Sequence, residues 1–188
     1  MMAQIMQVAE EVGHLARQLG IVVTTVESCT GGQVAGAITD IAGSSQWFEA
    51  GFVTYSNDAK QRMVGVSADS LRLYGAVSRQ VVEEMVAGGC RASGAGLGVA
   101  ISGVAGPGGG SEEKPVGTVW IAWGTGSEVV AHRFQFEGNR GQVRDVSVLA
   151  ALNGLRSWLA MWLQEEPDIA TAMKEKYDAS LQQGNVSL

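Results

Sequence analysis

Two neighbouring residues of this sequence, Ser28 and Cys29, have side chains that can attack a carbonyl carbon. They follow a β-branched run at 21–26 and precede Gly31 and Gly32, after which apolar residues recur at helical spacing. A strand that turns directly into a helix leaves backbone N–H groups without partners, and the glycines let that backbone approach a ligand closely. The stretch favours a nucleophile beside an oxyanion or phosphate site, although an ordinary turn of an α/β domain fits it equally well.

Lys60 is a candidate base for such a nucleophile, since no histidine lies in the turns concerned. A lysine can accept a proton when its amine is neutral near pH 7. Lys60 lies in the first turn after a predicted helix cap at Ser56 and Asn57, where the helix dipole and apolar neighbours would both lower its pKa. An exposed lysine on a solvated surface is the alternative. Tyr55, at the end of a predicted strand, could hydrogen-bond that amine or a substrate, or pack in the core.

The sequence leaves the choice of nucleophile open. Ser28, with Lys60 as base and the N–H groups of 29–32 as an oxyanion hole, forms a consistent acyl-transfer site. Cys29 is the intrinsically stronger nucleophile if the helix N-terminus favours its thiolate. Adjacent residues at a strand end point in opposite directions, so we expect only one of them to face a cavity.

A glycine-rich stretch at 103–115 and two arginines are candidates for binding an anion. The stretch follows a short apolar strand at 98–102 and offers backbone N–H groups without side chains over them. It has neither the Walker pattern nor the dinucleotide-binding glycine pattern. Arg140 and Arg144, one turn apart near the start of a long predicted helix, could hold a phosphate or lie on a solvated surface.

Composition and charge limit the class of protein. At 188 residues the chain has the length of one domain, and a hydrophobic share of 46% with a charged share of 17% is typical of a globular protein. The net charge of −6 argues against a nucleic-acid-binding surface. The two cysteines and two histidines show no metal-ligand spacing, so we expect neither a metal nor another cofactor. Without an apolar leader or an apolar run of membrane-spanning length, we predict no membrane association and a cytoplasmic protein.

The order of predicted elements, α-β-α-β-α-α-β-loop-β-β-α, indicates a layered α/β/α single domain with a mixed, mostly parallel sheet. The predicted helices are 3–19, 31–42, 67–74, 78–92 and 139–163, with a helical turn or two at 59–64, and the predicted strands are 21–26, 51–55, 98–102, 116–123 and 129–136. Ligands in such folds bind at the carboxyl ends of strands, so the turns after Val26, Tyr55 and Ser102 are expected to converge. The domain is predicted to span 1–163, with 164–188 as a polar tail or short helix.

The end of the last predicted helix, residues 158–163, is apolar on every side. Such a segment has to be covered on every side, and in a small domain a subunit interface is an effective cover. We therefore expect a homodimer or a larger homo-oligomer.

Five blocks, in order between about residue 3 and residue 163, resemble the CinA C-terminal domain family. The blocks are ESCTGG at 27–32, GFVTYSNDAK at 51–60, GAVS at 75–78, SGVAGPGG at 102–109 and KPVGTVW at 114–120. The resemblance implies a nicotinamide-nucleotide amidase, which hydrolyses the carboxamide of nicotinamide mononucleotide to nicotinate mononucleotide and ammonia. Longer members carry an additional N-terminal domain for which this chain has no room, which favours the stand-alone amidase.

The resemblance also implies the site residues. It implies a serine–lysine pair at Ser28 and Lys60, with Tyr55 nearby, and mononucleotide contacts from two turns and from Arg140. The residues of those turns are Thr30, Gly31, Gly32, Ser102, Gly103, Ala105, Gly106, Gly108 and Gly109. The alternatives are a non-catalytic phosphate-binding or partner-binding domain and an amidase for another mononucleotide. Ammonia release from nicotinamide mononucleotide separates the first alternative from the enzyme, and a panel of substrates separates the second.

Overall fold

The structure, a computed structural model, describes residues 1–165, in which helices cover both faces of one sheet. The helices are α1 (Met2–Leu19), α2 (Gln33–Thr39), α3 (Asn57–Val64), α4 (Ala68–Tyr74), α5 (Arg79–Ser93) and α6 (Arg140–Glu165). The strands are β1 (Val23–Glu27), β2 (Phe48–Val53), β3 (Leu97–Gly103), β4 (Thr118–Gly124) and β5 (Val129–Gln135). The predicted tail lies outside the described residues from position 166 onward.

The five strands form a single sheet in the order β2-β1-β3-β4-β5. β1 pairs in parallel with both β2 and β3, whereas β3–β4 and β4–β5 are antiparallel. The predicted layered α/β fold with a mixed, mostly parallel sheet is confirmed, since β1, β2, β3 and β5 run in the same direction and only β4, of the described strands, runs opposite to them. The carboxyl ends of β1, β2 and β3 consequently lie at one edge of the sheet.

Two apolar layers hold the sheet between the helices. α1, α2 and α6 pack on one face, around residues such as Trp47 and Leu155. α3, α4 and α5 pack on the other face, around residues such as Val82 and Met85. The exposed fraction of each of these four side chains is zero. Successive residues of β3 alternate between the two layers, as the two-residue period of a strand requires.

Serine caps fix where the helices of the second face begin. Ser56, Ser67 and Ser78 precede α3, α4 and α5, and each hydroxyl accepts a hydrogen bond from a backbone N–H in the first turn. Gly20, with φ of 63°, ends α1 in the left-handed conformation that favours glycine. These boundaries agree with the serine and glycine positions expected from the sequence.

The region between β1 and α3 differs from the predicted boundaries. α2 ends at Thr39 instead of residue 42, a short 3₁₀ helix follows at Ser44–Gln46, and β2 begins at Phe48 instead of residue 51. β2 is an edge strand, and its residues alternate between half-buried and exposed. Its first half therefore lacks the continuous apolar run that marks a buried strand.

α5 approaches α3 so closely that no side chain fits at Gly88. A Cβ atom at this position would overlap the backbone carbonyl of Val64, near the end of α3. The contact fixes the position of α3 relative to α5, and α3 is the helix that carries Lys60.

α6 is long and apolar enough, by length and composition only, to cross a membrane, since an 18-residue segment within Arg140–Gln164 has a mean hydropathy of 1.3. This finding departs from the expectation of no membrane-spanning run, which rests on unbroken apolar runs, because polar residues interrupt every such run in α6. Val143, Ala151 and Leu155 are fully buried in the apolar layer shared with α1 and the sheet, while 33% of the apolar segment as a whole is buried. The end of α6 is less covered, and Met161 is 41% exposed.

Candidate active site

A buried carboxylate, Glu27, sets the shape of the turn that carries Ser28. One carboxylate oxygen of Glu27 accepts hydrogen bonds from the N–H groups of Gly32, at 3.0 Å, and Val34, at 3.1 Å, and the other accepts from Ala35, at 2.8 Å. N–H groups at a helix start have no intrahelical partner, and a negative charge is stabilised there. Glu27 therefore occupies the helix start that the sequence suggested for a ligand.

Lys60 reaches from α3 to this turn. Its Nζ donates hydrogen bonds to Ser28 Oγ, at 3.0 Å, and to the carbonyl oxygen of Thr54, at 2.7 Å. Thr54 is held in turn by its own N–H, which donates to the carbonyl oxygen of Glu27 at 2.8 Å. The parallel neighbours β1 and β2, with the helix that follows β2, thus bring together two residues 32 positions apart.

Burial lowers the pKa of Lys60 to about 8, from an ordinary value of 10.5. The residue is 1% exposed, and no carboxylate forms an ion pair with it among the residues that the structure describes. An ammonium in such a place loses hydration without compensation, which favours the neutral amine. Cys29 acts weakly in the opposite direction. The amine can therefore accept a proton near neutral pH.

The pKa of Cys29 is raised, whereas that of Lys60 is lowered. It is 6% exposed and belongs to the apolar layer beneath α1, α2 and α6. Burial raises the pKa of its thiol to about 11, and Glu27 acts in the same direction, while its own backbone N–H and the cations of Lys60 and Arg144 act against this. The thiol is protonated at neutral pH, so it lacks the reactivity of a thiolate.

A cavity of about 210 Å³ opens at the Ser28–Lys60 contact. The turns after β1, β2 and β3 meet here, as the order of elements predicts. Seven predicted site residues line the cavity, namely Ser28, Tyr55, Lys60, Ser102, Gly103, Ala105 and Arg140. Four further residues line it, namely Cys29, Asn57, Ala76 and Val77.

Tyr55 and Arg140 form one rim of the cavity. Arg140 donates from Nη1 to the carbonyl oxygen of Gly106, at 2.9 Å, and from Nη2 to the hydroxyl of Tyr55, at 3.1 Å. Arg140 thereby links the glycine-rich loop to the turn after β2. Tyr55 is 61% exposed and bonds to Arg140, not to the amine of Lys60, so it is a rim residue rather than a core residue.

Six predicted site residues lie outside the lining of the cavity, namely Thr30, Gly31, Gly32, Gly106, Gly108 and Gly109. Thr30 is fully buried, and its carbonyl oxygen accepts a hydrogen bond from Arg144 at 2.9 Å. Gly31 and Gly32 have φ of 62° and 94°, so they allow the turn its shape. In this structure Gly31 and Gly32 therefore allow the backbone of the first turn to adopt its shape, and they do not line the cavity.

Two backbone N–H groups beside Ser28 have no acceptor in another described residue, and of the two residues only Cys29 lines the cavity. The N–H of Gly31 donates to the carbonyl oxygen of Ser28, at 3.1 Å, and that of Gly32 donates to Glu27. The N–H groups of Cys29 and Thr30 have no acceptor in any other residue between 1 and 165. Thr30 is fully buried and does not line the cavity, so the N–H of Cys29 is the donor beside the nucleophile that can stabilise a negative oxygen.

Comparison with known proteins identifies the family. The model of the CinA C-terminal domain matches residues 5–159. This chain belongs to the CinA C-terminal domain family. The nicotinamide-nucleotide amidohydrolase PncC of Pseudomonas putida is 56% identical over 154 residues, which cover 82% of this chain and 96% of that protein. The protein of the same name from Escherichia coli K12 is 54% identical, with coverage of 81% and 93%.

A solved structure agrees with the CinA assignment. The competence/damage inducible protein CihA from Agrobacterium tumefaciens has a TM-score of 0.80 and 44% identity to this chain. The match covers 82% of this chain and 94% of that one. The resemblance inferred from the five sequence blocks is thus confirmed at the level of the family.

The structure of this CinA domain adds residues that sequence reasoning did not select. Glu27 and Thr54 hold the turn and the amine, while Ala76 and Val77 form a wall of the cavity. Ser102 ties that wall to β3, since its hydroxyl donates to the carbonyl oxygen of Ala76 at 2.8 Å. All of these residues lie within the five family blocks. The blocks therefore indicated which segments form the site, but not what each residue does there.

We expect Glu27→Gln to lower the free energy of unfolding by about 1–3 kcal/mol, because its amide nitrogen would face N–H groups that need an acceptor. Chemical denaturation followed by circular dichroism measures the change. Glu10→Gln, at an exposed position of α1, is the matched control. Equal stability of the two variants would show that Glu27 does not hold the turn.

Proposed function

We propose that this protein is a nicotinamide-nucleotide amidohydrolase, which converts nicotinamide mononucleotide and water to nicotinate mononucleotide and ammonia. The observation that carries the proposal is the 3.0 Å contact between Lys60 Nζ and Ser28 Oγ at the cavity. The substrate comes from the names of the similar proteins of Pseudomonas putida and Escherichia coli. We also propose that the enzyme acts in the cytoplasm and without a metal or other cofactor.

In the proposed mechanism, the neutral amine of Lys60 accepts the hydroxyl proton of Ser28 as Oγ attacks the carboxamide carbon. The negative oxygen of the tetrahedral intermediate accepts a hydrogen bond from the N–H of Cys29, the residue of the predicted 29–32 oxyanion turn that lines the cavity. The Lys60 ammonium then gives its proton to the leaving nitrogen, and ammonia departs from an acyl-serine. Water attacks the acyl-serine, with Lys60 again accepting the proton, and nicotinate mononucleotide is released.

The charge of the substrate supports this use of Lys60. The pyridinium ring of nicotinamide mononucleotide is positively charged, and a positive charge near the amine disfavours its ammonium form. Tyr55, at the rim, offers an aromatic face to which a cation is attracted. The expected substrate contacts at Ser102, Gly103, Ala105 and Arg140 remain part of the proposal, because these residues line the same cavity.

The test is to incubate the purified protein with nicotinamide mononucleotide and to measure both ammonia and nicotinate mononucleotide. Ser28→Ala is the matched control for a contaminating amidase. Binding of the mononucleotide without ammonia release would favour the non-catalytic alternative. Release of ammonia only from another carboxamide mononucleotide would overturn the substrate but keep the reaction type.

We further propose that the end of α6 contributes to a homodimer or larger homo-oligomer. Trp158 and Trp162 are partly exposed there and pack edge to face, with ring centroids 5.6 Å apart, beside the exposed Met161. An apolar surface of this kind is typical of an interface.

Sedimentation is therefore expected to give a dimer or a larger species, and Trp162→Glu is expected to shift it towards smaller ones. The reason is that a carboxylate buried in an apolar interface has no partner there. Gln61→Glu, at an exposed position of α3, adds the same charge elsewhere and is the control. A wild-type protein that is monomeric at tens of micromolar would contradict the proposal.

A further inference from the structure

A second cavity, of about 550 Å³, adjoins the one that contains Ser28. Val77 lines both cavities, so the two are neighbours on either side of this residue. We call the second cavity the basic groove, and its residues used below are Tyr74, Arg79, Glu113, Lys114, Trp120 and Arg133. The function proposed above assigns no role to them.

Lys114 and Arg133 carry charges that no carboxylate neutralises among the described residues. Lys114 Nζ donates to the carbonyl oxygen of Tyr74, at 2.7 Å, and Arg133 Nη2 donates to that of Glu113, also at 2.7 Å. These contacts hold both cations in the groove. Each side chain keeps further N–H donors for a ligand, since an ammonium has three and a guanidinium five.

The other charged groups of the groove nearly cancel. Arg79 is paired with Glu83, at 2.7 Å, and Glu113 is one of the residues that line the groove. Three cations thus face two carboxylates, which leaves the groove with a positive charge. The chemistry favours a small anion bound between Lys114 and Arg133.

The register of the sheet sets the distance between the groove and the first cavity. Ser102 of β3, in the first cavity, pairs with Trp120 of β4, and Trp120 pairs with Arg133 of β5. Paired residues point to the same face of a sheet, and two strand spacings amount to roughly 10 Å. The phosphate of a mononucleotide lies one ribose away from its base, so a substrate with its carboxamide at Ser28 can extend into the groove.

We propose that the basic groove binds the 5′-phosphate of the substrate, with Lys114 and Arg133 as the binding residues and the ribose over Val77. This inference rests on the function proposed above. A guanidinium presents a fork of donors to phosphate oxygens, and an ammonium adds a compact charge. Arg140 is the competing cation, but two of its nitrogens already donate to Gly106 and Tyr55.

The test compares nicotinamide mononucleotide with nicotinamide riboside, which has the same carboxamide and no phosphate. We expect Lys114→Met and Arg133→Met each to lower kcat/KM for the mononucleotide by about tenfold to a hundredfold, mainly through KM, because each removes a charged hydrogen bond. The value for the riboside is expected to change little. Arg91→Met removes an exposed charge at the other end of α5 and is the matched control.

Several outcomes would overturn the inference. Equal losses on both substrates would mean that the two residues only support the fold, and equal wild-type rates on both substrates would mean that no phosphate is bound. Loss of the preference for the mononucleotide in Arg140→Met alone would place the phosphate at Arg140.

If the wild type releases ammonia from neither substrate, the proposed function fails. Calorimetry with ribose 5-phosphate then tests phosphate binding by the groove independently of the reaction. Binding to the wild type that Lys114→Met abolishes would support the inference, and no binding to the wild type would overturn it.

Discussion

Replacing Ser28 with alanine is expected to lower kcat for nicotinamide mononucleotide by about a thousandfold or more, since loss of a nucleophile removes the covalent route. The change deletes one oxygen at a half-buried position, so the cavity and the affinity for substrate should be kept. Steady-state ammonia release measures kcat. Calorimetry with the mononucleotide checks that the variant still binds.

Cys29→Ala is the matched variant for this experiment, and it is expected to keep most of the activity. Its thiol, with a pKa raised to about 11 by burial, is protonated at neutral pH. Loss of turnover on thiol alkylation of the wild type, but not of Cys29→Ala, would mean that Cys29 is essential or borders the reacting atoms. If Ser28→Ala kept full activity and Cys29→Ala were inactive, the nucleophile would be Cys29 and not Ser28.

Lys60→Arg is expected to lower kcat by about a hundredfold to ten-thousandfold, the usual contribution of a general base. A guanidinium keeps its charge and cannot accept the proton of Ser28. In the wild type, kcat/KM should rise with pH and level off above about 8, where the amine of Lys60 becomes neutral. Near-wild-type turnover in Lys60→Arg would contradict the serine–lysine mechanism, because it would show that Lys60 is not the base.

Lys60→Met separates the chemical role of Lys60 from a structural one. The pKa of Lys60 is about 8 in the folded protein and 10.5 when unperturbed, so the unfolded chain binds more protons between these values. Wild-type stability due to this group therefore rises with pH across that window. We expect Lys60→Met to be more stable than the wild type at pH 7, by up to about 3 kcal/mol, and the difference to shrink as pH approaches 10.5. An inactive variant that is also less stable at pH 7 would indicate a structural role instead.

Much of the fold could be predicted because its signals are local. The serines before α3, α4 and α5 and the glycine after α1 mark boundaries through hydrogen bonds and dihedral angles within a few residues. The β4–β5 hairpin was predicted in the same way, from two apolar strands joined by a short polar turn. The start of β2 was not, because an edge strand that is half exposed lacks a continuous apolar pattern.

The candidate site could be predicted only in part. A serine can act as a nucleophile and a lysine as a base, and Ser28 and Lys60 both lie in the family blocks, so the sequence alone selected them. The role of Glu27 depends on where its carboxylate points, and an acidic residue at the end of a strand does not reveal this. Lys114 belongs to the groove through its hydrogen bond to the carbonyl oxygen of Tyr74, 40 positions away in sequence, and the local pattern does not reveal this contact.

The contact of α5 with α3 at Gly88 makes the working pH of the enzyme depend on a residue outside the cavity. Lys60 lies one turn before Val64 on α3, so a shift of α3 at Val64 also moves the amine. A methyl group at Gly88 would push α3 away from α5 and admit water to Lys60, which would return its pKa towards 10.5. We therefore expect the separation of α5 and α3 at Gly88 to influence the proton affinity of the proposed base.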